Sequence, residues 1–207
     1  MSRSAGKPKA VVFDVGRVLY QWQLGALYAK LIPNPAELAW FLSNVVTEDW
    51  HHQHDAGRPL AEMIPELQAL HPDHAELIEA YGTRFLETIA GPILGTHALV
   101  ERLSAAGVPL FALTNFADDF WAEFRPTAPI FDRFADIVVS GEEKCAKPDS
   151  RLYEVAERRF GHPPQALFFT DDSPANVAAA EKRGWQAHLF TDAASLEAQL
   201  IALGLLN

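Results

Sequence analysis

Carboxylates follow two apolar runs of this sequence, at positions where they could do chemistry together. Asp14 comes directly after residues 10–13 (AVVF), and Asp171 and Asp172 come directly after residues 166–170. Adjacent carboxylates make an oxygen-rich site for a hard cation such as Mg²⁺, which takes a few carboxylates and keeps several waters. A carboxylate can also act as a nucleophile that forms an acyl-phosphate. Taken alone, Asp14 is equally well explained as a helix N-cap, so its role depends on the other segments.

A hydroxyl, an amide and a lysine follow further apolar runs. Thr114 and Asn115 come after residues 109–113, and Lys147 lies beside Pro148 in a loop before a predicted helix. The threonine hydroxyl and nearby backbone amides can hold phosphoryl oxygens, and a lysine can neutralise their negative charge. The complete set is therefore suited to phosphoryl transfer if the fold brings its members together.

The elements around these residues predict that they converge. Short apolar runs, typical of strands buried on both faces, alternate with segments of helical periodicity, which implies parallel βαβ units. In a parallel sheet the C-terminal ends of the strands lie on one edge, where α/β folds place their ligands. The sequence predicts an α/β protein with a three-layer, Rossmann-like parallel sheet. Its predicted strands are residues 10–13, 109–113, 137–139, 166–170 and 186–190, and its predicted helices are residues 96–106, 151–160, 175–182 and 194–203.

The segment from residue 22 to residue 90 has a different texture, because it is helical and poor in strands. Its apolar residues share helical faces around Leu27, Phe41, Met63 and Tyr81. The predicted organisation is therefore a core domain of residues 1–20 and 91–207, with a helical cap domain of residues 21–90 inserted after the first strand. The insertion leaves and re-enters near Asp14, where it could cover the site as a lid.

Composition excludes several classes of protein. The 207 residues carry a formal net charge of −10, which argues against a nucleic-acid binder because such a protein needs a basic face. No apolar run reaches the length of a membrane-spanning helix, and no signal peptide precedes the first strand. Cys145 is the one cysteine, so no internal disulfide forms. We expect a cytoplasmic protein, monomeric or homodimeric, with a small-molecule partner and neither nucleic acid nor membrane.

Four segments resemble, in order, the motifs of the haloacid dehalogenase-like hydrolases. They are residues 13–19 (FDVGRVL), 113–115 (LTN), 147–149 (KPD) and 168–176 (FFTDDSPAN). The insertion resembles the helical, C1-type cap of subfamily I. Within it, residues 50–58 (WHHQHDAGR) look like the cap of bacterial sugar-phosphate phosphatases, including glucose-1-phosphate phosphatases.

The resemblance implies a magnesium site. Asp14 would attack phosphorus and also bind Mg²⁺, and the backbone carbonyl of Gly16 would be a second ligand. Asp172 would bind the metal directly, whereas Asp171 would bind through water or orient the other ligands.

The resemblance also implies how the phosphoryl group is held. Thr114 and Asn115 would hold it, and Lys147 would pair with both Asp14 and the phosphoryl oxygens. Asn176 would support the loop that carries the paired acids.

Gly16 departs from the pattern of most phosphatases of this family, which place a second Asp there as general acid and base. Such a group contributes roughly 10²–10⁴-fold in rate. Arg17 is a poor substitute because it stays protonated, which leaves a water or a histidine among His51, His52 and His54. The alternative interpretation of these histidines is surface polarity at a helix end.

The predicted function is hydrolysis of a small phosphorylated metabolite, such as a sugar phosphate, with Mg²⁺ through an aspartyl-phosphate. One alternative is a metal-free 2-haloacid dehalogenase, which uses the same aspartate on carbon. Asp171 and Asp172 argue against it, because a site for a carboxylate substrate gains nothing from two extra negative charges. The other alternative is a non-catalytic binding protein on an inherited fold.

Overall fold

The computed structural model describes residues 6–207, so residues 1–5 of the predicted core segment lie outside the described residues. A parallel five-stranded sheet forms the centre of the molecule, with its strands in the order Asp136–Val139, Leu110–Thr114, Ala10–Phe13, Leu167–Asp171 and Gln186–Leu189. Each predicted core strand is confirmed to within a residue or so at its ends. The strands are β1 (Ala10–Phe13), β4 (Leu110–Thr114), β5 (Asp136–Val139), β6 (Leu167–Asp171) and β7 (Gln186–Leu189).

Helices cover both faces of this sheet, which gives the predicted three layers. Val11 and Phe13 pack in one apolar cluster with the helices Leu94–Ala105 and Ala193–Ala202. Ala10 and Val12 pack in a second cluster with the helices Ser150–Phe160 and Pro174–Lys182. β1 can serve both clusters because side chains alternate across a strand. The α-helices from residue 94 onwards are α6 (Leu94–Ala105), α7 (Asp118–Phe124), α8 (Ser140–Glu143), α9 (Ser150–Phe160), α10 (Pro174–Lys182) and α11 (Ala193–Ala202).

A two-stranded antiparallel ribbon, absent from the sequence prediction, connects this core to the insertion. It pairs β2 (Tyr20–Trp22) with β3 (Ile89–Pro92). Strands of three and four residues are too short for a period-of-two pattern, and Gly91 and Pro92 read as loop signals. The predicted cap boundaries at 20/21 and 90/91 fall inside this ribbon, and the division into two domains stays a prediction.

The insertion is helical, as predicted. Apolar faces of most of its helices pack around Leu27, Phe41 and Tyr81, and the Thr47 hydroxyl caps α3 by accepting a hydrogen bond from the backbone N–H of Trp50 at 3.0 Å. Among residues 6–207, no helix is both long enough and apolar enough to span a lipid bilayer. The helices are α1 (Leu24–Tyr28), α2 (Pro35–Asn44), α3 (Glu48–Asp55), α4 (Leu60–Leu70) and α5 (Ala75–Arg84).

Candidate active site

Three acids from two strand ends meet at one edge of the sheet. β1 lies between β4 and β6, and the backbone N–H of Asp14 donates to the carbonyl of Thr170 at 3.0 Å. This pairing places Asp14 beside the end of β6. Carboxylate oxygens of Asp14, Asp171 and Asp172 lie within 4.8 Å of one another. The structure therefore brings together the acids that the sequence placed at strand ends.

Lys147 is buried among these acids. Its Nζ lies 2.7 Å from Asp14 Oδ1, 2.7 Å from Asp171 Oδ2 and 2.8 Å from the carbonyl oxygen of Leu113. These contacts use all three ammonium donors. Burial alone would lower the pKa of Lys147, but the charges of Asp14 and Asp171 outweigh it and raise the pKa above its ordinary value. Lys147 therefore stays protonated and holds Asp14 in place.

Lys147 does not offset all the effects that disfavour the ionised form of Asp14. Burial raises the pKa of Asp14 to about 7, Lys147 opposes this shift, and the charges of Asp171 and Asp172 add to it. Burial and the charge of Asp171 likewise raise the pKa of Asp172. Three carboxylates beside one ammonium group make a site that favours a further cation.

The two consecutive acids differ in how their oxygens are used. Asp171 accepts hydrogen bonds from Lys147, from the side-chain amide of Asn176 at 3.1 Å and from the backbone N–H of Ser173 at 2.8 Å. Asp172 has one charged contact among the described residues, with Arg17 at 3.9 Å. Asp171 is thus engaged with the protein, whereas Asp172 is available to a ligand.

Asn115 fixes the backbone of the lysine loop. Its Oδ1 accepts from the N–H of Lys147 at 2.8 Å, and its Nδ2 donates to the carbonyl oxygen of Lys147 at 2.9 Å. The side chain of Asn115 is therefore engaged with the protein, and its predicted contact with a phosphoryl group stays a prediction. Thr114 is buried, and its hydroxyl makes only a 3.4 Å contact with the carbonyl oxygen of Asn115.

A cavity of about 340 Å³ opens above the acids, between the core and the insertion. This volume is within the range of small-molecule sites, roughly 300–1,000 Å³. Asp14, Gly16, Lys147 and Asp172 belong to its wall, whereas Thr114 and Asp171 do not. The insertion contributes the opposite wall, mainly from α3.

Arg17 connects the two walls, which the sequence analysis did not foresee. Its guanidinium group pairs with Glu48 of α3 and lies 4.9 Å from the ring centroid of Trp22. Its φ of 59° is in the left-handed region, which a non-glycine residue seldom adopts. Arg17 thus holds the first turn of α3 next to the loop that carries Asp14.

The histidines of α3 are not a patch of surface polarity. His51 and His54 are buried, and only His52 is exposed. His51 contacts the Tyr81 hydroxyl at 2.6 Å and Asp55 at 3.1 Å, so both of its ring nitrogens have close neighbours. Among the three, His52 combines a place in the cavity wall with an exposed ring.

His54 joins the insertion to the core. The Nδ1 atom of His54 lies 2.8 Å from the carbonyl oxygen of Arg58. Its Nε2 atom lies 2.9 Å from Oδ1 of Asp119 in α7. This second contact brings the two groups together as a charge pair, but it is not aligned as a hydrogen bond. Burial alone would lower the pKa of His54. The contacts with Asp119 and with the Arg58 carbonyl outweigh burial and raise the pKa of His54 above its ordinary value. Burial alone would raise the pKa of Asp119, but the contact with His54 outweighs burial and holds this pKa below its ordinary value.

We expect His54→Gln to lower the free energy of unfolding by about 1 kcal/mol near pH 5.5, a modest value because Asp119 is half exposed and screened by water. The raised pKa of His54 gives stabilisation that is fully present below its unfolded-state pKa and lost as pH rises through the folded-state value. The lowered pKa of Asp119 gives stabilisation that is lost in acid. Urea unfolding at several pH values should therefore show a difference that shrinks at alkaline pH. His52→Gln, on the same helix, is the control, and a pH-independent difference would mean that His54 acts by packing alone.

The chain belongs to the haloacid dehalogenase-like hydrolases, whose family profile matches residues 8–184. It is 24% identical over 195 residues to the sesquiterpene phosphatase AstK of Aspergillus oryzae, covering 89% of this chain and 90% of that protein. It is 29% identical over 94 residues to an (S)-2-haloacid dehalogenase of Pseudomonas putida, covering 45% and 41%. It is 31% identical over 119 residues to a phosphoserine phosphatase of Thermus thermophilus, covering 56% and 47%. The last two matches thus span less than half of those relatives.

Solved structures share the fold. A HAD-like family hydrolase from Porphyromonas gingivalis aligns with a TM-score of 0.72 at 18% identity, covering 96% of this chain and 98% of that one. A HAD family enzyme from Bacteroides thetaiotaomicron, in complex with magnesium and inorganic phosphate, aligns with a TM-score of 0.66 at 21% identity, covering 89% and 95%. At these identities the likeness establishes the α/β fold.

Proposed function

We propose that this hydrolase is a magnesium-dependent phosphatase that acts on a small phosphorylated metabolite through an aspartyl-phosphate on Asp14. The observation that carries the proposal is the group of three carboxylates, with oxygens within 4.8 Å of one another, around the buried Lys147. A nucleophilic carboxylate beside two further acids needs a cation to accept an anionic substrate. The cavity volume suits a small metabolite.

The donors present fit Mg²⁺, which prefers a few carboxylates together with waters. Asp14 has a second oxygen with no hydrogen bond among the described residues, and Asp172 faces the cavity. Gly16 lies in the same wall and would offer its carbonyl. Asp171 would orient the others, since its oxygens already accept protein hydrogen bonds. When bound, Mg²⁺ supplies positive charge that offsets the carboxylates and the phosphoryl oxygens.

The chemistry at Asp14 would proceed in two displacements. An Asp14 oxygen attacks phosphorus, the ester P–O bond breaks, and the electron pair leaves with the alcohol oxygen, which takes up a proton. A water then attacks the phosphorus of the aspartyl-phosphate and releases inorganic phosphate, which restores Asp14. Lys147 holds Asp14 in position for both steps. Gly16 offers no acid, so the proton for the alcohol comes from water or from His52.

The relatives are compatible with this proposal. Two of them carry phosphatase names, and one structural neighbour was solved with magnesium and inorganic phosphate. The dehalogenase relatives define the competing activity. A metal-free dehalogenase would have to bind a carboxylate substrate beside Asp171 and Asp172, whose charges repel it.

Removal of metal separates the two activities. We expect the protein to hydrolyse p-nitrophenyl phosphate with MgCl₂ and to lose at least about 100-fold in rate with EDTA, because metal charge stabilisation is worth several kcal/mol. Re-addition of MgCl₂ should restore the rate. Chloride release from 2-chloropropionate in EDTA, without phosphatase activity, would instead identify a dehalogenase.

A further inference from the structure

The cavity has a buried acid in its cap wall that the proposed chemistry does not use. Asp55, the last residue of α3, is 4% exposed and lines the same cavity as Asp14. Its Oδ1 is fully buried and accepts no hydrogen bond from the described residues. Leaving a buried acceptor without a donor costs roughly 1–3 kcal/mol, and more for a charged group. Such a group in a cavity wall is suited to accept a hydrogen bond from a ligand.

The backbone of Asp55 is anchored to the core. Its carbonyl oxygen accepts a hydrogen bond from the Ser140 hydroxyl at 2.5 Å, and that hydroxyl oxygen accepts from the N–H of Phe116 at 2.9 Å. Ser140 and Phe116 follow the strands β5 and β4, respectively. The position of Asp55 relative to the sheet edge is therefore set by direct contacts.

The side chain of Asp55 is oriented by two buried neighbours. His51 Nε2 lies 3.1 Å from Asp55 Oδ2, and His51 Nδ1 lies 2.6 Å from the Tyr81 hydroxyl. Burial raises the pKa of Tyr81 well above its ordinary value, so Tyr81 keeps its proton and donates to Nδ1. The ring proton of a neutral His51 is then on Nε2, towards Asp55. Trp22 and Phe85 stack on His51 and keep its ring in place.

No described residue donates a hydrogen bond to Asp55 Oδ1, so a ligand bound in the cavity is suited to supply the donor. Besides Asp55, the polar side chains that α3 contributes to the cavity wall are Glu48 and Asp49, which are acceptors, and His51 and His52. His51 lies against Asp55 Oδ2, and none of the four donates to Asp55 Oδ1. The phosphoryl group carries only acceptors when ionised and is repelled by a carboxylate, so it belongs beside Lys147. The alcohol portion of the substrate would then face Asp55. A neutral hydroxyl suits this buried position better than an ammonium group, whose burial costs more hydration free energy.

We propose that Asp55 determines specificity by accepting a hydrogen bond from a hydroxyl group of the leaving alcohol. The substrates would be phosphate monoesters of alcohols that carry further hydroxyl groups. This inference rests on the proposed phosphatase function, and it adds the class of alcohol to it.

A matched pair of substrates tests this role. Glycerol 1-phosphate and n-propyl phosphate share a three-carbon chain and differ in hydroxyl groups. We expect the protein to have at least about tenfold higher kcat/KM on glycerol 1-phosphate, and Asp55→Asn to lower that value by about 10–100-fold, the worth of a hydrogen bond to a charged group. The amide would present a donor or a weaker, neutral acceptor. On n-propyl phosphate the same variant should change kcat/KM by less than about threefold.

Two results would overturn the inference. Equal losses of kcat/KM on both substrates would mean that Asp55 protonates the leaving group or supports the fold. A wild-type protein without preference for glycerol 1-phosphate would exclude hydroxyl recognition, even if the variant failed to fold. Asp73→Asn, at an exposed position of the insertion, is the matched control. Magnesium-dependent hydrolysis of p-nitrophenyl phosphate, measured on the same samples, distinguishes a wrong role for Asp55 from a wrong assignment of the phosphatase activity.

Discussion

Asp14→Asn should lower kcat on p-nitrophenyl phosphate by about 10⁴-fold or more, as expected when the nucleophile of a covalent mechanism is removed. The amide is nearly isosteric with the carboxylate but is a poor nucleophile. We expect the stability of the Asp14→Asn variant to be unchanged or higher than that of the wild type. Burial raises the pKa of Asp14 to about 7, so the ionised group is unfavourable in the folded protein at alkaline pH, and a neutral amide removes that cost. Loss of activity with unchanged or higher stability is the expected signature of a functional site.

The measurement is steady-state kinetics combined with thermal unfolding at pH 8 without metal. Asp132→Asn is the matched control, because Asp132 is exposed and pairs with Arg125, and neither residue lines the cavity. Residual activity of Asp14→Asn within about 100-fold of the wild type would contradict a nucleophilic role, since a positioning residue typically contributes no more than that.

The convergence of the acids could be predicted from the sequence because buried parallel strands are continuous apolar runs. Residues 10–13 and residues 166–169 are apolar throughout. The acids that follow them, Asp14 directly and Asp171 after Thr170, mark the ligand edge of the sheet. Strand alternation with helices then fixes the direction of every strand. No side-chain detail is needed for this step, which is why the fold and the meeting of Asp14 with Asp171 and Asp172 follow from the pattern.

The hydrogen bonds inside the site could not be predicted in the same way. Asn115 and Lys147 are separated by 32 residues, and Ser140 and Asp55 by 85. Contacts at such separations depend on loop paths that periodicity does not encode. The side chain of Asn115 could equally have reached a substrate. Its use as a support for the lysine loop appears only when both loops are placed together.

The buried face of α3 is an intermediate case. The helix sequence EDWHHQHD is polar and charged, so hydrophobicity gives no indication that it is covered. His51, His54 and Asp55 nevertheless have the spacing of one helical face, and these are the residues that are buried. A polar stripe at helical spacing in a predicted cap is thus a signal that could have identified this wall of the cavity.

Lys147→Met should destabilise the protein by about 3–5 kcal/mol in EDTA, the cost of removing one partner from a buried charge pair. The variant leaves Asp14 and Asp171 facing each other without the ammonium group that lies 2.7 Å from each. It also leaves the carbonyl oxygen of Leu113 without that donor. Urea unfolding measures the loss. Lys144→Met is the control, because Lys144 is exposed and pairs with Asp118 on the surface, where a salt bridge contributes at most about 1 kcal/mol.

Two further measurements determine whether uncompensated charge causes this loss. Adding Asp171→Asn to Lys147→Met removes one of the two unpaired carboxylates, so the double variant should be more stable than the single one and equally inactive. MgCl₂ should raise the unfolding temperature of Lys147→Met more than that of the wild type, because a cation bound between Asp14 and Asp172 would replace part of the missing charge. If neither change restores stability, Lys147 contributes by packing rather than by charge, and the case for a cation at this sheet edge is lost with it.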